Sequence, residues 1–407
     1  MDTAIVALLV GAGLTSCFWL VANLTCVRVA RRLRALSDGR VPEPEAWPRL
    51  TVVVPACNEA AVLEPALATL LAQDYPDLEL LLVNDRSTDG TDRVVEELAA
   101  RDPRVRAVHV RALPAGWLGK VHACHVGLGE ASGAFVLFTD ADVHYAPGVL
   151  RRAVSLAVAR KLDQLSLMPR FVSPTFWLRV AVNAFAALFM VQVRPERVED
   201  PRRPDYCGVG AFNLVRRTAL DPAEGLGWLR LEVADDVGLG LLVKRRGGRC
   251  EVRAAPVELA VEWYSSLGAM FRGLEKNMFS VIGRFSVVLI AARMLMMLVA
   301  IVGPFLALGL PALGLSGALA QHVPRSALLA VGAAGLLAWG SVPLVSAAMR
   351  ARFGTPFGPG LLGPLGLFLL LLMVARSTWA CVRRGAILWR GTAYPLRELA
   401  AHQRVKK

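Results

Sequence analysis

Four apolar runs bracket this chain, at residues 4–26, 287–315, 327–348 and 361–382. Each approaches the roughly 20 residues a helix needs to cross the hydrocarbon of a bilayer. A lone segment in lipid can satisfy its backbone only as a helix. The distribution therefore specifies one amino-terminal membrane helix, a long middle region free to fold in water, and two to four membrane helices at the carboxyl end. A hydrophobic content of 55% over 407 residues, with mean hydropathy +0.47, exceeds ordinary soluble usage and fits this division.

The first run reads as an anchor rather than a cleaved leader. Met1-Asp2-Thr3 supplies no basic start, whereas Arg28, Arg31, Arg32 and Arg34 follow the apolar stretch. Positive residues stay on the cytoplasmic side, which puts the bulk of residues 28–284 in the cytosol, at the cell (inner) membrane. The same rule is ambiguous at the other end, where Arg350 with Arg352 and Arg383 with Arg384 both follow apolar runs. Gly303-Pro304 and Gly309-Leu310-Pro311 are candidate breaks in a helix there. The organisation expected is an anchor at 1–27, a basic juxtamembrane linker at 28–48, a cytosolic domain at 49–285, a membrane region at 286–383 and a basic tail at 384–407. Within the cytosolic part, residues 171–193 are apolar and aromatic, interrupted by Arg179 and Asn183, and read as a helix lying in the headgroup plane.

Net charge is +13, from 46 basic and 33 acidic residues. The basic residues cluster beside apolar runs, at 28–34, 244–249 and 383–390, as contacts with acidic headgroups require. No zinc-finger spacing or aromatic RNA-binding motif accompanies them, so nucleic acid is not an expected partner. The seven cysteines include no C-x-x-C pair and read as reduced thiols.

Between the apolar runs the pattern alternates. Residues 50–55, 78–83, 105–110 and 134–139 are strand-like, and 60–72, 91–100 and 119–130 have helical spacing. Strands apolar on both faces, separated by helices, form a parallel, doubly wound α/β sheet. Ligands of such sheets sit outside the carboxyl ends of the strands. Three of those ends carry polar clusters: Pro55-Ala56-Cys57-Asn58-Glu59, Asn84-Asp85-Arg86-Ser87-Thr88-Asp89-Gly90 and Thr139-Asp140-Ala141-Asp142.

Asp140 and Asp142 lie two apart, so in extended backbone both carboxylates project to one side, where a hard divalent cation could bridge them to a diphosphate. Taken alone, the same residues are also an ordinary strand-ending turn. Asp85 can accept a hydrogen bond from the imide N–H of a nucleobase. Asn58 and Glu59 can reach a ribose or cap the helix that follows, and Ser87, Thr88 and Asp89 read as caps of the next one. Lys120 either meets a sugar or diphosphate or is a solvated lysine. His122 and His125 share a helix but have no third ligand nearby, which argues against zinc.

These motifs together resemble the family 2 glycosyltransferases, inverting enzymes of the GT-A fold, a Rossmann-like and mostly parallel sheet. The matching residues are Val54-Pro55-Ala56-Cys57-Asn58-Glu59, Val83-Asn84-Asp85-Arg86-Ser87-Thr88-Asp89-Gly90-Thr91, Thr139-Asp140-Ala141-Asp142 and Glu232-Val233-Ala234-Asp235-Asp236-Val237-Gly238-Leu239. Leu113-Pro114-Ala115-Gly116-Trp117-Leu118-Gly119-Lys120 resembles the membrane-bound subgroup that glycosylates lipids such as ceramide, hopanoids or carotenoid acids. The resemblance implies Pro55, Asn58, Glu59, Asp85, Asp140 and Lys120 at the donor nucleotide. It puts Asp142, with Asp140, at a Mg²⁺ or Mn²⁺ ion, and Asp236, beside Asp235, as general base.

The family usually carries Glu where Asp235 stands. The Q-x-x-R-W motif of its polymer-forming synthases is also missing after the acidic pair, which favours transfer of a single sugar. Arg272 and Lys276, four apart, are expected on one helical face, at a phosphate or at the membrane surface. Trp389-Arg390-Gly391-Thr392-Ala393-Tyr394 resembles an element of lipid-glycosylating members, and Trp389 with Arg390 also suits an interfacial anchor. The expected partners are a nucleotide-sugar donor, UDP-linked, and a membrane lipid acceptor. The competing readings are a polyisoprenyl-phosphate or polysaccharide-forming glycosyltransferase and, from another class, an inactive scaffold or transporter.

Overall fold

In a computed structural model, residues 3–220, 225–315 and 323–406 are described. The chain divides into two compact units, one of residues 1–32, 173–192 and 264–383, the other of residues 33–172, 193–263 and 384–407.

The second unit is built on a sheet. Its strands are β1 (Leu50–Ala56), β2 (Leu78–Asp85), β3 (Val105–Val110), β4 (Phe135–Phe138), β5 (Val143–Tyr145), β6 (Gln164–Phe171), β7 (Asn213–Arg216) and β8 (Cys250–Val261). Among the described residues these eight form one sheet in the order β3-β2-β1-β4-β7-β6-β8-β5. β1 runs parallel to β2 and β4, and β2 parallel to β3, while β7 is antiparallel to β4 and β6. The alternation predicted a parallel, doubly wound sheet; the sheet is mostly parallel, as the resemblance to GT-A enzymes implied, with antiparallel β5 and β7 completing it.

Val53 lies level with Leu81 of β2 and with Phe138 of β4, so three carboxyl ends finish side by side. The connection from β1 leads outward to β2, whereas β4 sits on the opposite flank of β1. The crevice at this change of direction is where an α/β sheet receives its ligand.

β1, β2 and β4 are buried along nearly their whole length because helices cover both faces. The helices Ala60–Leu71, Thr91–Arg101 and Gly119–Glu130 make the crossovers, with Leu63, Leu67, Val95 and Leu98 facing the core. Each buried leucine contributes about 2 kcal/mol relative to exposure. At the amino edge the buried Glu79 accepts from Thr51 Oγ1 at 2.6 Å and from Ser132 N and Oγ at 3.1 and 2.8 Å. One carboxylate thereby ties β1, β2 and the turn after residue 130, at the edge remote from the crevice.

Residues 384–407, expected as a basic tail, include two short strands and a helix within the sheet unit. β9 (Ala386–Trp389) and β10 (Thr392–Pro395) form a hairpin, followed by the helix Leu396–His402. The apolar alternation of Ile387 and Tyr394, both buried, supplies the inward face that a charge count conceals.

The other unit is helical. Among the described residues five helices are long and apolar enough to cross a membrane: Thr3–Arg32, Phe176–Arg197, Val287–Leu313, Arg325–Phe353 and Gly363–Arg384. The helix Val287–Leu315 continues through Pro304 and Pro311, where breaks were expected. Trp339 Nε1 of another helix donates to Pro304 O at 3.4 Å. Asn23 Nδ2 donates to Ser341 Oγ at 2.7 Å between helices.

The helix Phe176–Val193, read from sequence as interfacial, belongs to this helical unit, with Val180 O and Ala184 Cβ against Gly366. By length and composition it is also long enough to span.

Candidate active site

Two left-handed residues shape the loops that leave the sheet, Asn58 after β1 with φ 56° and Arg86 after β2 with φ 54°. Such backbone is uncommon outside glycine and is held only where surrounding bonds fix it. Here the loops are laced together: Asn58 N donates to Ser87 Oγ at 3.0 Å, and Thr88 N donates to Asn58 Oδ1 at 2.8 Å. Asp89 accepts from Ala60 N at 3.1 Å and from Thr91 N at 3.0 Å, capping both helices at once. The capping role read for residues 87–89 thus falls to Asp89. Glu59 occupies the N-cap position without a side-chain cap bond, and its carboxylate pairs with Arg390 Nη2.

Asp85 ends β2 at 3% exposure and is gripped by Arg86, with Nε 2.7 Å from Oδ1 and Nη2 3.0 Å from Oδ2. Gly119 lies flush against this pair, since a Cβ there would fall 2.5 Å from Asp85 Oδ2. Its N–H donates to Tyr394 Oη at 3.2 Å. The helix beginning at Gly119 then aims Lys120 toward β4. Lys120 Nζ lies 2.5 Å from Asp140 Oδ1 and 3.6 Å from Asp235 Oδ2. Burial alone would lower the lysine, but Asp140, Asp235 and Asp236 reverse this and hold its pKa well above the usual range.

Asp235 and Asp236 open the helix Asp235–Arg245, where the macrodipole favours negative charge. Asp236 Oδ1 accepts from Val237 N at 2.8 Å and Oδ2 from Gly210 N at 3.1 Å, while Gly210 O accepts from Asp140 N at 3.0 Å. The Gly210 residue thus joins the β4 aspartate to the helix aspartate. Burial first, then Asp235 beside it, raise the Asp236 carboxyl above the ordinary aspartate value. Pro55, Lys120, Phe138, Asp140, Asn213 and Asp236 line one cleft.

Asp142 is lifted to about 6 by burial and by the carboxylates of Asp140 and Glu59. Among the described residues no three His, Cys, Asp or Glu converge into a ready-made metal cluster. Mg²⁺-type ions, however, are commonly held by one or two carboxylates plus substrate phosphates. Asp140 and Asp142 are hard oxygen donors in a locally over-negative place, so these residues suit Mg²⁺ or Mn²⁺.

The structure brings Pro55, Asn58, Glu59, Asp85, Lys120, Asp140, Asp142, Asp235, Asp236, Trp389 and Arg390 into one unit. Arg272 and Lys276 belong to the helical unit. They fall in separate helical pieces, Leu267–Gly273 and Glu275–Asn277, rather than on one continuous helix.

Other residues came to light only in the fold. Arg86 engages Asp85. Gly208 and Gly210 admit Asp236, because a Cβ on Gly208 would sit 1.8 Å from Asp236 O. Glu232 accepts from Arg404 N and Val405 N at 2.6 and 3.0 Å, clamping the carboxyl-terminal segment beside the acidic pair. Arg86 and Glu232 stood inside quoted motifs without a role of their own, and the Gly208-Val209-Gly210 spacing was a further visible signal.

Residues 51–221 match the family described as Glycosyl transferase family 2. A β-monoglucosyldiacylglycerol synthase of Synechocystis sp. is 28% identical over 236 residues, 54% of this chain and 47% of that protein. A 4,4'-diaponeurosporenoate glycosyltransferase of Staphylococcus aureus is 34% identical over 145 residues, 34% of this chain and 35% of that one. A GalNAc(5)-diNAcBac-PP-undecaprenol β-1,3-glucosyltransferase of Campylobacter jejuni is 36% identical over 103 residues, 25% of this chain and 32% of that one. The chain thus spans half or less of the length of these curated relatives. In fold, it resembles a mannosyltransferase of Pyrobaculum calidifontis solved with GDP-Man and Mn²⁺, with TM-score 0.53 and 20% identity over 92% of this chain and 98% of that one.

Proposed function

Since this chain belongs, through residues 51–221, to glycosyl transferase family 2, we propose that it moves a single sugar from a UDP-sugar to a membrane lipid, with inversion at the anomeric carbon. One observation carries the reading: Lys120, Asp140 and Asp236 line a single cleft where β1 and β4 end. The five long apolar helices and the lipid acceptors in the names of two relatives support a lipid substrate.

In this reading Asp85 receives the nucleobase imide, with Pro55, Asn58 and Glu59 around the nucleoside, and Asp140 serves the nucleotide-sugar side. Asp142, with Asp140, holds Mg²⁺ or Mn²⁺. Such an ion, when bound, supplies positive charge to the departing diphosphate. Asp236 takes the proton of the acceptor hydroxyl, the oxygen bonds to the anomeric carbon, and the bond from that carbon to the diphosphate oxygen breaks with its electron pair. Two backbone N–H groups fix the Asp236 carboxylate, and its raised pKa makes it a better base than a solvated aspartate. The helix Phe176–Val193 lies along the headgroups, and Arg28, Arg31, Arg32 and Arg34 keep the sheet unit cytoplasmic. Arg272 and Lys276 contact phosphate or headgroup, and Trp389 with Arg390 flanks the acceptor.

The test is purified full chain in detergent with labelled sugar nucleotides and a lipid extract, with and without Mn²⁺ or Mg²⁺. A labelled monoglycosyl lipid that requires Asp236 is expected; no donor consumed in any combination sinks the reading. The Campylobacter relative favours a second acceptor, a polyprenyl-diphosphate-linked sugar, which a polyprenyl-linked arm of the same assay separates by product mass.

A further inference from the structure

We propose that Lys120 is a resident counter-cation covering the metal-facing carboxylate of Asp140, so that a divalent ion gains that carboxylate only when a nucleoside diphosphate draws the lysine away. The inference rests on the donor and metal reading above and adds an order to it: metal and nucleotide enter as a coupled pair.

The geometry points this way from three sides. Lys120 Nζ touches Asp140 Oδ1 at 2.5 Å and also faces Asp235 Oδ2 at 3.6 Å. The other oxygen of Asp140 is backed by Gly210, where a Cβ would fall 2.6 Å from Oδ2 and 3.4 Å from Lys120 Nζ. One oxygen is therefore under an ammonium and the second lies beside the Gly210 loop, on a side chain that is 38% exposed. A divalent cation approaching Asp140 meets like charge at hydrogen-bond range, and in a half-buried site such repulsion is weakly screened.

Lysine suits the role because its charge is compact and its stem flexible. A diphosphate arriving in the cleft offers the ammonium an equivalent anionic partner within the reach of its four-carbon stem. The ammonium can then move from Asp140 to the phosphates and uncover the carboxylate for the cation. Glu59 is occupied by Arg390 in the same manner, so the acidic rim carries its own cations in this state. Arg390 sits at a hairpin tip and outside the pair that holds the metal, which leaves Lys120 as the competitor at Asp140.

Mn²⁺ binding to the purified full chain, read by loss of the free-ion paramagnetic resonance signal beyond that of the same nucleotide without protein, tests this without turnover. Wild type is expected to bind Mn²⁺ at least tenfold more tightly with saturating UDP or GDP than alone. Lys120→Met and Lys120→Gln are expected to bind Mn²⁺ alone at least tenfold more tightly than wild type, and Lys120→Arg to behave as wild type. Mn²⁺ affinity unchanged by both neutral substitutions, in protein that retains its melting transition, overturns the proposal. If neither variant folds, the wild-type arm decides, and equal Mn²⁺ affinity with and without a bound nucleotide overturns it. Should UDP and GDP both fail to bind, the donor reading falls instead, while the nucleotide-free comparison of wild type with the variants still judges the lysine.

Discussion

Asp236 shows how much of a catalytic role is set by a few neighbours. Its two oxygens are held by Val237 N and Gly210 N, and burial with Asp235 nearby keeps its pKa above that of a free aspartate. Because the pKa is raised, the carboxyl is neutral below it and cannot accept a proton. Turnover should therefore rise with pH through that value and level off above it, on a limb absent from nucleotide binding. Asp236→Asn is expected to lower kcat about 10²- to 10⁴-fold with little change in UDP affinity; an unaltered kcat would remove it as base. Gly210→Ala tests the same locality from the backbone, since the added Cβ lies 2.6 Å from Asp140 Oδ2. Activity should drop at least tenfold while the melting temperature shifts by a few degrees, and wild-type turnover in this variant would refute the close approach.

Among elements, the two edges of the sheet do different work. The amino edge is held by Glu79, whose carboxyl sits at about 2 because hydrogen bonds from Thr51 and Ser132, with Arg106, outweigh the opposing effect of burial. A lowered folded pKa means the contribution is whole above about 4.5 and is lost as pH falls toward about 2. Glu79→Gln should cost about 2 kcal/mol at pH 7, and the gap to wild type should close in melts taken toward pH 3. An equal gap at both pH values would contradict the linkage. The carboxyl edge is instead bound to the β9–β10 hairpin, through Arg390 to Glu59 and Tyr394 to Gly119. Tyr394→Ala, which frees the start of the Lys120 helix, is expected to raise the donor KM several-fold, more than kcat falls; steady-state kinetics with varied donor read the split.

For the molecule as a whole, the proposed placement of the sheet unit in the cytosol rests on the arginines after the first apolar helix. Asp74 is 83% exposed in its side chain, so a cysteine placed there should react with an impermeant maleimide only after intact cells are opened. Labelling of intact cells would reverse the orientation. The chain by itself determined the apolar helices and the strand–helix alternation, because both are periodicities of local burial that any fold must respect. It also determined that Asp85 ends one parallel strand and that Asp140 follows another, since that follows from where each apolar run stops, whereas Asp142, expected in extended backbone, lies in the turn that leads into antiparallel β5. Continuity through Pro304 and Pro311 appears only in the folded helix, and the folding of residues 384–407 was decided by an apolar face beneath a basic composition. Only the tertiary structure could bring Lys120 to Asp140, Gly210 to Asp236 and Arg390 to Glu59, pairs 20, 26 and 331 residues apart. Hydrogen bonds and charge pairs act over a few ångströms, and sequence carries no measure of that distance until the chain has closed.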